Sequence, residues 1–163
     1  MSNVKKITQA GIFIAVGVVC STFSIPIGAA KVFPVQHFIN VLAGVTLGPF
    51  YGVSMAFVTS LLRVMMGTGS LLAFPGSMCG AFLCGMLYKY TKKTSLAFVG
   101  EIVGTGIIGA ILAYPVAALI MSKEAAMFGF VIPFGISSIA GAGISYVFIT
   151  ALKKTGFYKN LEA

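Results

Sequence analysis

The feature that most constrains this chain is a series of apolar segments, each close to the length that crosses a lipid bilayer. One runs from Ile7 to Ile25, and another runs from Ser95 to Met121 with Glu101 as its single charged residue. A membrane-spanning helix needs about 20 mostly apolar residues, because lipid cannot hydrogen-bond to an exposed backbone. With 58% hydrophobic and only 9% charged residues, the whole chain lies outside the range of soluble globular proteins. We therefore expect an all-α integral membrane protein.

Prolines, glycines and lysine clusters separate the apolar segments into six predicted transmembrane helices. These helices form one predicted domain, residues 1–163, and they cover residues 7–25, 37–47, 50–66, 75–88, 95–121 and 127–152. In this interpretation Pro34 belongs to the first loop, Pro75 to the first turn of the fourth helix, and Pro133 to the interior of the sixth helix. The segment from Gly67 to Phe74 is too apolar for an ordinary aqueous loop. We expect it to dip back into the protein.

The lysine distribution predicts how the helices are oriented. With six spans both termini share one side of the membrane, and eight lysines fall on that side: Lys5, Lys6, Lys89, Lys92, Lys93, Lys153, Lys154 and Lys159. Only Lys31 and Lys123 lie in the opposite loops. Cytoplasmic loops are enriched in Lys and Arg, so we expect both termini to be cytoplasmic in a multi-pass plasma-membrane protein. This asymmetry also explains the net charge of +8 without a nucleic-acid partner.

A few polar side chains are predicted to lie at membrane depth, where they are candidates for function because lipid cannot solvate them. His37 and Arg63 flank the Gly48-Pro49 turn, and helical geometry places both about 16 to 21 Å from it. Asn40 follows His37 by three positions and shares its face. We expect a polar cluster of His37, Asn40 and Arg63. The alternative is that Arg63 only anchors the outer loops or contacts lipid headgroups.

Further candidates lie near the predicted outer ends of the last three helices. Ser70 and Ser77 offer hydroxyls beside the start of the fourth helix, and the ring of Phe74 could stack on a flat heterocycle. Tyr114 precedes Pro115, and Ser137 or Ser138, one turn after Pro133, is a further candidate contact. A tight loop and simple proline kinks are the alternative interpretations.

Glu101 is the only acidic residue within the predicted spans. It is either protonated or hydrogen-bonded to Thr105 one turn away, or it lines the floor of a binding site together with Thr105.

Catalytic constellations are absent from the sequence. There are no paired carboxylates, no Ser-His-Asp pattern, no P-loop and no metal-ligand set, so the chain is not expected to be an enzyme or to hold a metal or cofactor. The letters from Gly104 to Gly109 match GxGxxG, but they lie in mid-helix with no preceding strand, so we do not expect them to bind a dinucleotide. Substrate binding is the natural role. A self-sufficient facilitator or channel is the alternative, although the inner half offers little polar lining beyond Glu101 and Thr105.

The sequence resembles the substrate-binding (S) components of energy-coupling factor transporters, and among them the ThiW type. The resemblance covers nearly the whole chain and is strongest in several short runs: His37–Gly44, Leu47–Pro49, Ser60–Arg63, Gly67–Ser77, Gly100-Glu101 with Gly104–Gly106, and Ala113–Val116.

This resemblance implies a subunit of the bacterial cell membrane that binds a small vitamin precursor from outside, the thiamin-precursor thiazole hydroxyethylthiazole. It also implies association with a membrane-embedded T subunit and two ATP-binding-cassette ATPases. The ligand would lie near the outer surface, close to Phe33, His37, Phe74, Ser77, Tyr114 and Ser137. The small-residue pair Gly11 and Ala15 in the first helix would be where the T subunit docks. Ordinary packing within the chain is the alternative for that pair.

Overall fold

A computed structural model describes residues 3–27, 30–122, 124 and 126–155, without the side chains of residues 26, 27, 30 and 31. Two lysines that carry the predicted orientation lie outside this described part: Lys123 and Lys159.

The described residues are predominantly helical, as the sequence predicts. Helix α1 spans Asn3–Thr22, and its last turn, Cys20–Thr22, is a 3₁₀ turn. A short antiparallel hairpin follows, with strands β1 (Ile25–Ile27) and β2 (Ala30–Val32). The remaining helices are α2 (Pro34–Thr46), α3 (Pro49–Met65), α4 (Ala73–Thr91), α5 (Thr94–Ile120) and α6 (Val131–Lys154).

Every helix end differs from the sequence-based one by one to four residues, and proline explains two of the larger differences. Helix α2 begins at Pro34, which the sequence analysis placed in the loop, because a proline in the first turn lacks only an N–H that has no helical partner there. Helix α6 begins at Val131, so Pro133 lies in its first turn and not in its interior. Helix α1 ends at Thr22 and not at Ile25, because Ile25 pairs with Val32 in the hairpin. The placement of Pro75 in the first turn of α4 is confirmed.

Helix α4 lies at the centre of the bundle and contacts α2, α3 and α5. Its small residues permit this close packing. An added Cβ at Gly85 would lie 2.6 Å from the Cα of Pro49 in α3, and one at Gly104 in α5 would lie 2.8 Å from the Cα of Gly80. Small residues let helix backbones approach closely, which is how helices associate where lipid provides no hydrophobic driving force. Helix α1, in contrast, lies at the periphery, with Gly17 as the only buried residue of Asn3–Val19.

Three helices of the described part are long and apolar enough to cross a membrane: α1, α5 and α6. Helix α3 is apolar but shorter, and the 13 residues of α2 extend only about 20 Å, against a hydrocarbon core of about 30 Å. Many large apolar side chains on the outside are exposed, including Ile132 and Val147 of α6. An exposed apolar surface of this kind suits contact with lipid, so the chain is a membrane protein.

Candidate functional site

A cavity of about 480 Å³ opens at one end of the bundle, which is within the usual size range for small-molecule sites. It lies between the start of α2, the end of α3, the α3–α4 loop and the start of α6. The rings of Phe33, Phe130 and Phe134 contribute to an apolar wall. Six residues that the sequence analysis singled out also line it: His37, Arg63, Ser70, Ser77, Thr105 and Ser137.

Behind the cavity, Glu101 is the centre of a buried polar network. Its side chain is fully buried, and three groups meet its Oε1 atom. His37 Nδ1 lies 2.8 Å from Oε1, Asn40 Nδ2 donates to it at 3.1 Å, and Thr105 Oγ1 lies 2.9 Å from it. Asn40 also donates to the backbone carbonyl of Ser77 at 3.2 Å, which ties α2 to α4. A buried carboxyl group requires such partners, so this network fixes the side chains of His37 and Thr105 that face the cavity.

Gly80 of α4 makes room for the Glu101 carboxyl group. A Cβ added at this position would lie 2.6 Å from Glu101 Oε2 and 2.7 Å from Oε1, and it would also collide with Thr105 Oγ1. Glu101 Oε2 has no hydrogen-bond partner among the described residues. The carboxyl group therefore faces the backbone of α4 and does not line the cavity.

Helix α5 presents Thr105 to the cavity from a widened segment. Residues Gly104–Gly109 form a π-helical stretch, a distortion often found at functional sites. Thr105 Oγ1 lies 3.0 Å from the carbonyl oxygen of Gly76 and thereby links α5 to the first turns of α4. The glycines of the GxGxxG match lie in this stretch, and an added Cβ on Gly109 would lie 2.6 Å from the Cα of Gly76. The match therefore reflects helix packing.

A second polar chain joins three helices beside the cavity. The Ser60 and Ser77 hydroxyl oxygens are 3.0 Å apart, and Gln36 Nε2 donates to Ser60 Oγ at 3.3 Å. Ser77 also donates to the carbonyl oxygen of Ala73 at 2.8 Å. Ser60 and Ser77 are almost fully buried. These hydrogen bonds hold the Ser77 hydroxyl at the cavity wall, where a ligand can replace one of its hydrogen-bond partners.

Arg63 does not belong to the His37 and Asn40 network, so the predicted cluster of these three residues divides into two. The guanidinium carbon of Arg63 lies 4.4 Å from the centre of the Phe33 ring, in a cation–π contact. Phe33 follows the hairpin, and its backbone N–H donates to Ser137 Oγ at 2.9 Å. Arg63 itself is only 1% exposed and lines the cavity. It is therefore a buried residue and not a surface anchor.

Four predicted site residues do not line the cavity. Asn40 and Glu101 lie behind it, as described above. The Phe74 ring packs on Phe57 of α3 at a centroid distance of 5.4 Å, so it is turned away from the position in which it would stack on a ligand. Tyr114, in the second half of α5, is also outside the lining.

The cavity includes residues that the sequence analysis missed. Gln36 was assigned to a loop, whereas it lies in the first turn of α2. Phe130 and Phe134 had a detectable signal, because Phe130, Phe134 and Ser137 are spaced four and three apart and therefore share one helical face. Phe130 directly precedes α6, and it lies in the cavity lining together with Phe134 and Ser137.

The small residues of α1 are open to the surroundings. Gly11 and Ala15 are exposed, and an added Cβ on Gly11 would meet no atom within 4 Å. By comparison, a Cβ on Gly17 would lie 2.9 Å from Thr59 Cγ2 of α3. Gly17, not Gly11, is thus the glycine that packs within the chain.

The family model described as thiamine-precursor transporter protein (ThiW) matches residues 7–155. The matched range includes every residue of the cavity and of the networks behind it. A search of curated proteins found no match.

Proposed function

This chain belongs to the ThiW family of thiamine-precursor transporters, and we propose that it is the substrate-binding subunit of an energy-coupling factor transporter for hydroxyethylthiazole. Membership of a transporter family implies transport rather than catalysis. The single observation that carries the proposal is the cavity of about 480 Å³, which combines an apolar aromatic wall with a few hydrogen-bonding groups. Sites for small heteroaromatic ligands have this composition.

The proposed ligand contacts come from residues whose side chains the networks hold in place. Ser77, Thr105 and Ser137 provide hydroxyls to the lining, and His37 provides an imidazole. Asn40 and Glu101 act from behind by holding His37 and Thr105 in place. Phe33, Phe130 and Phe134 provide ring faces for a flat heterocycle. Phe74 and Tyr114 have no ligand contact in this proposal.

The cavity end faces outward in the proposed topology, which has six spans and cytoplasmic termini. At the other end of the bundle Lys153 Nζ donates to Thr94 Oγ1 at 2.8 Å and lies over the Tyr88 ring. This contact brings the C-terminal end of α6 next to the α4–α5 connection, so two of the lysine clusters lie together. The positive-inside rule assigns that end to the cytoplasm of a bacterial cell.

The proposed energy source is external to this chain. A T subunit and two ATP-binding-cassette ATPases drive transport, and α1 is the docking helix. Gly11 and Ala15 are both exposed on α1, four positions apart, and such small-residue pairs let a second helix approach closely.

The experiment has two stages, binding and uptake. The purified protein in detergent is titrated with hydroxyethylthiazole by calorimetry, and saturable binding with one site per chain is expected. The protein is then reconstituted in liposomes, alone and with the T subunit and ATPases, and labelled thiazole uptake is measured with and without ATP. Uptake that needs both partners and ATP is the expected result. Saturable uptake by the chain alone would identify a facilitator and contradict the subunit role.

A further inference from the structure

Among the residues that the structure describes, no charged group pairs with the buried guanidinium of Arg63. The side chain is 1% exposed, and its Nε atom has no hydrogen-bond partner in the part of the chain that the structure describes. Within the described residues no carboxylate lies within salt-bridge distance, since the one such pair joins His37 and Glu101. Its contact with the Phe33 ring face, 4.4 Å from the ring centre, stabilises the cation only in part. A buried cation without an acceptor is costly, so an acceptor from outside the chain is expected to complete it.

The chain has little acid with which to neutralise this charge. It contains three acidic residues: Glu101, Glu124 and Glu162. Glu101 already meets His37, Asn40 and Thr105 and does not line the cavity. Glu124 is exposed in the connection before α6, and Glu162 lies outside the described residues. Among the described lining residues, the one permanently charged group is therefore positive.

The chemistry of guanidinium defines what a ligand must offer at this end of the cavity. Guanidinium has five N–H donors and no acceptor. A thiazole with an unsubstituted ring nitrogen offers a lone pair on that nitrogen, and its hydroxyethyl group offers an oxygen. A thiazolium ring, alkylated on nitrogen as it is in thiamin, has lost that lone pair and carries a positive charge of its own. The positive charge of Arg63 would repel such a ring. The ring nitrogen would also be unable to accept a hydrogen bond from the guanidinium N–H groups.

We propose that Arg63 is the charge filter of the cavity: it accepts thiazoles whose ring nitrogen is unsubstituted and rejects N-alkylated thiazolium rings, including that of thiamin. The inference rests on the proposed function. It goes further because it states which chemical form of the ring is bound, and it explains why a precursor, not the finished vitamin, is the substrate of this site.

The test compares two ligands that differ by one methyl group and one charge. Hydroxyethylthiazole and its N-methylthiazolium derivative are titrated into the purified wild-type protein in detergent. Two unit charges about 5 Å apart at an effective dielectric constant near 20 repel strongly enough to weaken binding on the order of 100-fold. We therefore expect at least this loss for the cation. Equal affinity of wild-type protein for both ligands would overturn the proposal.

Variants separate charge from steric fit. Arg63→Gln keeps hydrogen-bond donors but removes the charge, so the difference between the two ligands should shrink to about tenfold or less. Arg63→Lys keeps the charge and should preserve the difference. If the difference persists in Arg63→Gln, the methyl group is excluded by shape and the charge filter is wrong. If Arg63→Gln does not fold, the affinity of wild-type protein for a carboxymethyl thiazole tests the charge filter without a variant. Its anion should bind at least as tightly as the neutral ligand, and weaker binding of that anion would overturn the filter.

The failure of this inference differs from the failure of the proposed function. If wild-type protein binds no thiazole of any charge, the transport substrate itself is wrong. If it binds the neutral thiazole and the thiazolium equally well, the substrate class stands and the role of Arg63 falls.

Discussion

Replacement of Gly80 by alanine tests whether the Glu101 network supports the cavity. The added Cβ would lie 2.7 Å from Glu101 Oε1, whereas ordinary contacts begin near 3.4 Å. One of the two groups must therefore move by about 0.7 Å. The same methyl group collides with Thr105 Oγ1, so Thr105 cannot keep its contacts with both Gly76 and Glu101.

The size of the effect follows from overpacking and from lost hydrogen bonds. Overpacking of a well-packed interior costs about 1 to 3 kcal/mol in unfolding free energy. For a chain of this length that corresponds to a melting temperature lower by roughly 2 to 12 °C. Displacement of Thr105 and His37 from the cavity wall should also weaken thiazole binding at least tenfold, since 1.4 kcal/mol of lost contact energy has that effect.

The assay measures melting in detergent and thiazole affinity by calorimetry for Gly80→Ala and for a matched control. Gly143→Ala is that control, because an added Cβ at Gly143 in α6 meets no atom within 4 Å. The control should melt at the wild-type temperature or slightly above it, since alanine favours helix more than glycine by about 1 kcal/mol. Its affinity should not change.

A double variant identifies the contact responsible. Thr105→Ala removes the oxygen nearest to the added methyl group, so Gly80→Ala should be less harmful in its presence, with a coupling of about 1 kcal/mol. If Gly80→Ala melts and binds like Gly143→Ala, the carboxyl group does not need the space beside Gly80 and the reasoning is refuted.

Three further variants follow from the same geometry. Asn40→Ala removes the hydrogen bonds to Glu101 and to the carbonyl of Ser77. Calorimetry should show a binding free energy for thiazole that is weaker by about 1 to 3 kcal/mol. Unchanged affinity would show that the network does not support ligand binding. Phe74→Leu should leave the binding constant unchanged, because the Phe74 ring packs outside the cavity; a tenfold loss would return Phe74 to the site. Replacing both Gly11 and Ala15 with leucine should abolish ATP-driven uptake but preserve thiazole binding in detergent, and normal uptake would show that the T subunit docks elsewhere.

Much of the helical organisation was predictable because it depends on local chemistry. Runs of apolar residues and the prolines between them predict where helices start and end to within a few residues, as the boundaries of α3 and α5 show. Two of the larger boundary errors lie at prolines, because a proline is compatible with more than one position relative to a helix. Pro34 can end a loop or begin a helix, and Pro133 can distort a helix interior or occupy its first turn. The hairpin that pairs Ile25 with Val32 was not predicted. Each of its strands has only three residues, which is too short to show an alternation of apolar and polar side chains.

Polarity at membrane depth was the useful signal for the site. It identified His37, Arg63, Ser77, Thr105 and Ser137 without any knowledge of how the helices pack, because lipid cannot solvate such groups and they must face the interior. Aromatic residues have no such restriction. They suit lipid, the protein interior and a ligand equally well, so sequence reasoning chose Phe74 and overlooked Phe130 and Phe134.

The sequence by itself determined that the chain is a helical membrane protein, which residues are too polar for lipid, and which family it belongs to. These properties depend on composition, on spacing along one segment, and on short motifs. Only the tertiary structure decided the partners of these polar residues. Glu101 meets His37 and Asn40 across more than 60 positions of sequence, and Arg63 is separated from that network although it lines the same cavity. The reason is that hydrogen bonds and charge compensation act over a few ångströms, and packing of all the helices sets those distances.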